Sequence, residues 1–276
     1  MPAVRIDDSD DPRLDDYRTL TDPELRKRFE AERGVFIVES PLAVEALAAS
    51  PYGSRTRSLL VGERRLERMA PAIRALSALG AAVYTAPAAV LRATAGFDLH
   101  RGVVAAVDRP PPVATDVVLA GATTVVAVEG VNDHENLGGL FRNAAAFGVD
   151  AVVLDPTCAD PLYRRSVRVS MGHVLGVPHA RAAAWPGLLT TLVAEGWRVV
   201  ALTPGASTAL PAVAPVAPGE RLVVIVGAEG PGLTAGTLTV AGIEPVRIAM
   251  APGVDSLNVA TSAAVALSHL VGSHLA

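Results

Sequence analysis

Residues 247–272, RIAMAPGVDSLNVATSAAVALSHLVG, decide how the rest of the chain is interpreted. A short apolar run at 248–250 predicts the end of a last strand. A Pro-Gly pair predicts a turn, and small apolar residues at helical spacing predict a long final helix. We expect Asp255 or Ser256 to cap this helix, because their side-chain oxygens can accept hydrogen bonds from the free N–H groups of its first turn.

This stretch has two interpretations. A strand, a Pro-Gly loop and a capped helix form a ligand-binding arrangement, because the exposed N–H groups and the helix dipole converge at the loop. The same pattern also describes an ordinary last strand and last helix that close an α/β domain. The stretch by itself leaves both interpretations open.

Length and composition predict a globular protein of two domains. The chain has 276 residues, which is long enough for two domains with a core each. Of these residues 50% are hydrophobic and only 4% aromatic, so small side chains are expected to fill the cores. Cys158 is the single cysteine, so no internal disulfide forms, and a reducing cytosol is expected. No signal peptide and no apolar stretch of about twenty residues is present, so we expect a cytoplasmic protein that does not interact with membranes.

The charge balance permits RNA binding without indicating it. The formal net charge of −4 is unlike the basic balance typical of nucleic-acid-binding proteins. Nearly all basic residues are arginines, which bind phosphate well through a planar fork, and Arg164, Arg165 and Arg168 form one local cluster. Solvated helix faces are the commoner explanation of such clusters.

The pattern of strands and helices predicts two α/β domains joined by a linker. Residues 1–108 alternate strand and helix and form a small α/β domain. Pro110 to Pro112 end it, because proline cannot continue a helix or a central strand. We assign residues 109–123 to a linker. From 124 to 276 the alternation restarts with longer apolar strands such as TVVAVEG, which predicts a mostly parallel sheet covered on both faces.

Three polar loops that contain glycine follow strands of the second domain: NDHENLGGLFRNA at 132–144, GAEGPGL at 227–233 and APGVDSLN at 251–258. The carboxyl ends of parallel strands meet at one edge of a sheet, where α/β proteins bind ligands. The glycines of the second loop would let its backbone approach a ligand closely. Their spacing is G-x-x-G-x-G, which is not the dinucleotide fingerprint.

Taken together, the loops resemble a known family. Asn136-x-Gly138-x-x-x-Arg142-Asn143-Ala144, Gly227-Ala228-Glu229-Gly230-x-Gly232-Leu233, and Ile248-x-Met250 followed by Ser256-Leu257-Asn258-Val259 look like the three motifs of SpoU-type (TrmH family) RNA ribose 2′-O-methyltransferases of the SPOUT superfamily. The likeness covers the chain from about residue 124 to its end. More loosely, residues 1–108 resemble the ribosomal-protein-like substrate-binding domain that many members carry.

The resemblance implies S-adenosylmethionine as methyl donor, RNA as acceptor, a homodimer, and a carboxy-terminal segment threaded into a deep trefoil knot. It also implies that Arg142 activates the ribose hydroxyl. Because arginine hardly ever gives up its proton, we interpret Arg142 as a clamp on the neighbouring phosphate and the developing alkoxide, with the proton leaving through phosphate or water.

The other site residues follow from the same resemblance. Asn136 and Glu229 are predicted to form an orienting pair. Ser256 and Asn258 are predicted to position ribose, phosphate or Arg142, with simple capping as the alternative. The remaining assignments are backbone groups at the cofactor (Leu202, Gly227, Ile248, Met250 and Leu257) and arginines at the RNA (Arg101, Arg164, Arg165 and Arg168). The six histidines show no ligand spacing, so no metal is predicted.

Two alternatives to a methyltransferase remain. A nicotinamide-dependent enzyme would use similar glycine-rich loops, but it should carry the fingerprint that is missing here. A catalytically inactive RNA-binding or ribosome-assembly factor would keep the fold and lose the polar groups of the motifs. Asn136, Arg142, Glu229, Ser256 and Asn258 are all present, which favours an enzyme.

Overall fold

The structure is a computed structural model and describes residues 3–18, 20, 30, 32–96 and 102–272. The chain forms two compact units. The first comprises Met1–Pro111 and Leu162–Gly176, and the second comprises Pro112–Pro161 and Val177–Ala276. The sequence predicted one continuous second domain at 124–276, whereas the structure groups Leu162–Gly176 with the first unit.

The helices and strands are numbered in chain order. They are β1 (Val4–Arg5), β2 (Val35–Glu39), α1 (Pro41–Ala49), β3 (Thr56–Gly62), α2 (Leu66–Ala78), β4 (Ala82–Ala86), α3 (Ala88–Ala95), β5 (Val103–Asp108), α4 (Thr115–Leu119), β6 (Thr124–Glu129), α5 (His134–Ala146), β7 (Ala151–Leu154), α6 (Arg164–Val169), β8 (His179–Arg181), α7 (Gly187–Ala194), β9 (Arg198–Leu202), β10 (Thr208–Ala209), β11 (Leu222–Gly227), α8 (Ala235–Leu238), β12 (Ile243–Arg247) and α9 (Val259–Leu270).

The first unit is built on a five-stranded sheet in the order β1-β4-β3-β5-β2, in which β5 runs antiparallel to both of its neighbours. All five residues of β2 are buried, as its unbroken apolar run predicts. Ser40 caps α1 by accepting a hydrogen bond from the N–H of Ala43, and Pro41 occupies the first turn, where its missing N–H costs nothing.

A segment from the second half of the sequence completes this unit. In α6 the Arg164 guanidinium lies 3.1 Å from the carboxylate of Glu39, whose side chain is only 7% exposed. Gly172 approaches α1 so closely that a Cβ added there would lie 2.6 Å from the Cβ of Ala46. A partly buried ion pair and a close backbone approach thus fix Leu162–Gly176 in the first unit.

Gly172→Ala is expected to destabilise the first unit by about 2–3 kcal/mol, because it overpacks the contact with α1 and places a side chain at positive φ. The φ angle of Gly172 is +86° and a Cβ would also lie 2.9 Å from the Cα of Ala43. The free energy of unfolding in urea measures the effect. Gly176→Ala is the matched control, since the closest atom to its Cβ would be 3.7 Å away; an equal loss in both variants would contradict the steric cause.

The second unit confirms the predicted parallel α/β architecture. Its seven-stranded sheet has the order β10-β12-β9-β11-β6-β7-β8, and every strand pair within it is parallel. Four adjacent strands of this sheet, β9, β11, β6 and β7, consist mostly of buried apolar residues. Leu189 and Leu192 of α7 pack on one face of the sheet. The trefoil knot implied by the resemblance stays a prediction.

Several boundaries differ from the sequence prediction. The last strand ends at Arg247 rather than at Met250, because its edge neighbour β10 pairs only with Val246 and Arg247. The region assigned as a linker contains the short helix α4. The short strands β1, β8 and β10 were not predicted. Among the described residues, no helix has the length and apolar character needed to cross a membrane.

Candidate functional site

The loops at the carboxyl edge of the second unit's sheet enclose a cavity of about 510 Å³. The five residues predicted to bind the cofactor all lie in its wall: Leu202, Gly227, Ile248, Met250 and Leu257. Glu229, Ser256 and Asn258 lie there too. The Ser256 hydroxyl makes no hydrogen bond with any described residue. The structure therefore brings the second and third sequence motifs together around one pocket of the size that small ligands occupy.

The glycine-rich loop is shaped by its own backbone. The N–H of Gly232 donates to the carbonyl of Ala228 at 3.0 Å, which folds the loop back onto the end of β11. A Cβ on Gly227 would lie 2.5 Å from the carbonyl carbon of Gly232 and 2.6 Å from the nitrogen of Leu233. Position 227 requires glycine because the loop's own backbone leaves no room for a Cβ. From the sequence, glycine was expected here because a ligand would approach the backbone closely.

Asn258 connects all three motifs. Its Oδ1 accepts hydrogen bonds from the N–H groups of Ala260 and Thr261, so it is the N-cap of α9. Its Nδ2 donates to Oδ1 of Asn136 at 2.7 Å and to Oε1 of Glu229 at 3.0 Å. We call Asn136, Glu229 and Asn258 the amide junction.

The junction corrects two predictions. The cap of the last helix is Asn258 and not Asp255 or Ser256, because the helix begins only at Val259. Asn136 and Glu229 meet through the amide of Asn258 rather than as a direct pair, since both present acceptor oxygens to it. Asparagine suits this position because one amide both accepts and donates.

Helix α5 brings Asn136 to the junction. Asp133 caps α5 by accepting from the N–H groups of Glu135 and Asn136. Gly139 packs against α9, where a Cβ would lie 2.9 Å from the Cβ of Ala260. Asn143 donates to the carbonyl of Ala260 at 2.6 Å. No role was predicted for Asn143, although a polar residue one helical turn after Gly139 was the available signal.

Arg142 lies on α5 next to Asn143 and is exposed to solvent. It is not part of the cavity wall, and its guanidinium makes no hydrogen bond or ion pair with the described part of the chain. The structure therefore does not bring Arg142 into the amide junction. Among the described residues, its side chain has no partner that a substrate phosphate would have to displace.

The predicted RNA-binding arginines have different surroundings. Arg101 lies outside the described residues. Arg164 is half-buried and forms an ion pair with the carboxylate of Glu39 at 3.1 Å, so an RNA phosphate would compete with this pair, and the contact stays a prediction. Arg165 is exposed and Arg168 is half-buried on the same short helix, so these two stay predictions.

The loop after β7 supports the first motif. The carboxylate of Asp155 accepts from the N–H groups of Thr157 and Cys158, and the N–H of Ala159 donates to the carbonyl of Val131 in the loop before α5. Arg181 donates to the carbonyl oxygens of Asp155 and Cys158. An acidic residue directly after a buried strand was the signal that could have identified Asp155.

Asp155→Asn is expected to lower the free energy of unfolding at pH 7 by about 1.5–3 kcal/mol, the range for hydrogen bonds to a charged group. Burial raises the pKa of Asp155, but hydrogen bonds from Cys158, Thr157 and Gly130 together bring it below the ordinary 3.8. Because the folded-state pKa is depressed, this stability is fully present above pH 3.8 and is lost as the pH falls through the folded-state value. Urea unfolding measured between pH 7 and pH 3 should show that the free energies of unfolding of wild type and Asp155→Asn converge as the pH falls. Exposed Asp255→Asn is the control.

The variant Asn258→Asp tests the role of Asn258 in the amide junction separately from its role as the N-cap of α9. Aspartate caps a helix as well as asparagine does, so the melting temperature should change little. The amide donor is lost, and a second carboxylate faces Glu229. With two hydrogen bonds gone, we expect the activity of this site to fall about ten- to thirtyfold. Asn258→Ala, which also loses the cap, should lower the melting temperature; equal melting temperatures in both variants would contradict the assigned capping role.

Comparisons with known proteins identify the family of the chain. Residues 123–268 match the SpoU rRNA Methylase family. The chain is 50% identical, over 94% of its length and 88% of the relative's, to a Mycobacterium tuberculosis protein named as an uncharacterized tRNA/rRNA methyltransferase. It is 34% identical, over 56% of its length and 60% of the relative's, to a 23S rRNA (guanosine(2553)-2′-O)-methyltransferase of Bacillus subtilis.

A solved structure shows the same fold. The AdoMet-bound rRNA methyltransferase of Sinorhizobium meliloti is 25% identical, with a TM-score of 0.80 over 99% of each chain. The chain belongs to the SpoU rRNA methylase family. The family predicted from the three motifs is confirmed.

Proposed function

We propose that the protein transfers a methyl group from S-adenosylmethionine to a ribose 2′-hydroxyl of ribosomal or transfer RNA. The observation that carries this proposal is the amide junction, in which one side chain joins all three motif loops at the cavity. An inactive RNA-binding factor would have no need to keep these polar groups. The 2′-O activity of the Bacillus subtilis relative supports the choice of acceptor.

The cavity fits S-adenosylmethionine in size and chemistry. Its volume of about 510 Å³ is in the usual range for small-molecule sites. Apolar side chains of Leu202, Ile248, Met250 and Leu257 would enclose the adenine, and backbone groups of the loop that begins at Gly227 would bind the polar parts. When bound, the cofactor supplies an electrophilic methyl group. The S. meliloti relative is named as AdoMet-bound.

The protein residues would position and activate the acceptor. A ribose hydroxyl is a weak nucleophile at neutral pH, so it must be held in line while its proton is removed. We assign Arg142 to the neighbouring phosphate and the developing alkoxide, where a fixed positive charge stabilises the transition state. The proton leaves to phosphate or water. The hydroxyl of Ser256 would donate a hydrogen bond to the ribose or phosphate. The amide junction would hold the three loops in fixed positions relative to one another.

The RNA contacts and the oligomeric state extend the proposal. We assign substrate binding to the first unit, with Arg101, Arg165 and Arg168 at the RNA, and methyl transfer to the second. In a homodimer, exposed apolar side chains on and before α9, such as Val254 (49% exposed) and Val265 (39% exposed), would be available for burial at the interface. Sedimentation equilibrium distinguishes dimer from monomer by mass. The RNA substrate implies action in the cytoplasm.

The test is methyl transfer from labelled S-adenosylmethionine to total RNA from cells that lack this protein. Alkaline hydrolysis then identifies the acceptor, because a methylated 2′-oxygen cannot attack the adjacent phosphate and the backbone resists cleavage there. We expect the label in alkali-resistant dinucleotides. Label in mononucleotides would indicate base methylation, and absence of label would remove the enzymatic activity. S-adenosylhomocysteine, but not NAD, should raise the melting temperature.

A further inference from the structure

A buried carboxylate lies directly behind the glycine-rich loop. Glu129 is the last residue of β6 and is only 4% exposed. Its Oε1 accepts a hydrogen bond from the hydroxyl of Thr234 at 2.6 Å, and its buried Oε2 has no hydrogen-bond partner among the described residues. Burying a carboxylate with incomplete hydrogen bonding costs free energy that an apolar residue would not cost. Stability alone therefore does not explain Glu129.

The bond from Thr234 fixes the far end of the loop. Thr234 follows the loop directly and caps α8 by accepting from the N–H of Thr237 at 3.3 Å. Thr237 is fully buried, and its hydroxyl oxygen accepts from the indole N–H of Trp185 at 3.0 Å. The Thr234 side chain is thus held between Glu129 and a buried anchor.

The near end of the loop is fixed by the same residue. In the parallel pair of β6 and β11, Glu129 stands opposite Gly227, where the loop begins. Glu129 consequently holds both ends of residues 227–233, through strand pairing at Gly227 and through its side chain at Thr234. It does not line the cavity itself.

We propose that Glu129 is a positioning residue for the cofactor: through Thr234 it holds the glycine-rich loop in the form that binds S-adenosylmethionine. This inference rests on the proposed function, since the loop must be a cofactor loop for Glu129 to act on affinity. A charge-assisted hydrogen bond of 2.6 Å is suited to this, because such bonds are shorter and stronger than neutral ones.

Calorimetric titration of the full-length protein with S-adenosylhomocysteine tests the inference. Glu129→Ala should weaken binding about tenfold, which corresponds to about 1.4 kcal/mol. Thr234→Val should weaken it at least as much, because it removes the same bond and also the cap of α8, and the double variant should be no weaker than Thr234→Val alone. Glu129→Gln keeps the acceptor oxygen but loses the negative charge, so its affinity should lie between those of wild type and Glu129→Ala. At saturating cofactor, kcat of Glu129→Ala should stay within about twofold of wild type while KM for the cofactor rises.

Asp150→Ala is the matched control. The Asp150 carboxylate accepts three hydrogen bonds from Thr123 and Thr124 at the opposite end of β6, so its loss should lower the melting temperature without changing cofactor affinity. Unchanged affinity in Glu129→Ala, or independent effects of Glu129→Ala and Thr234→Val, would overturn the positioning role. If wild type itself does not bind S-adenosylhomocysteine, the proposed function falls and the inference with it. Should Glu129→Ala not fold, Thr234→Val replaces it, and unchanged affinity in that variant would overturn the positioning role.

Discussion

Gly227→Ala is expected to weaken binding of S-adenosylhomocysteine at least about a hundredfold and to lower the free energy of unfolding by about 1–3 kcal/mol. The added Cβ would lie within 2.5–2.8 Å of three backbone atoms of Gly232 and Leu233. Backbone cannot rotate aside as a flexible side chain can, so the loop must open away from β11. Calorimetric titration and urea unfolding measure the two effects.

Gly205→Ala provides the control for this result. Gly205 follows β9, its φ is not positive, and an added Cβ there would meet no atom within 4 Å. We expect wild-type cofactor affinity in this variant. Wild-type affinity in Gly227→Ala as well would show that the folded-back loop is not the form that binds the cofactor, and would remove the glycine-rich loop from the site.

Arg142→Ala is expected to reduce methyl transfer about 10²- to 10³-fold, the usual cost of removing one group that stabilises charge in a transition state. The affinity for S-adenosylhomocysteine should stay within about twofold of wild type, because Arg142 is not in the cavity wall. Its side chain is exposed and makes no hydrogen bond or ion pair with the residues that the structure describes, so its loss should leave the fold intact. Single-turnover transfer to RNA, measured beside cofactor titration, separates the two quantities.

Arg142→Lys refines this prediction. Lysine keeps the positive charge but lacks the planar fork that binds phosphate through two parallel hydrogen bonds. We expect it to restore only a minor part of the activity. Full activity in Arg142→Lys would mean that charge alone is sufficient, and full activity in Arg142→Ala would exclude Arg142 from the mechanism.

The sequence predicted which loops form the site but not how they are joined. Three polar loops that contain glycine follow parallel strands, and such strand ends share one edge of a sheet, so the meeting of Asn136, Glu229 and Asn258 was foreseeable. The central place of Asn258 was not. Asp255, Ser256 and Asn258 can all cap a helix, and only the position at which α9 begins selects one of them.

Residues whose partners lie far away in the sequence were not predicted correctly. Glu129 ends an apolar strand, and its partner Thr234 is 105 positions further along the chain. The partner of Arg164 is 125 positions away, and this ion pair with Glu39 was not predicted from the sequence. Local spacing carries no information about such partners, because their distance is set by the folding of the whole unit.

Hydrophobic periodicity and residue types at fixed local spacing were sufficient to predict the alternation of strands and helices, the parallel sheet of the second unit, the family and the identity of the motif loops. Four features became visible only in the folded chain. Asn258 links the motifs, Gly227 is required by its own loop, Glu129 lies behind that loop, and Leu162–Gly176 belongs to the first unit. Each of these depends on long-range approach of backbone and side chains, which is specified by packing across the folded chain and not by neighbours in sequence.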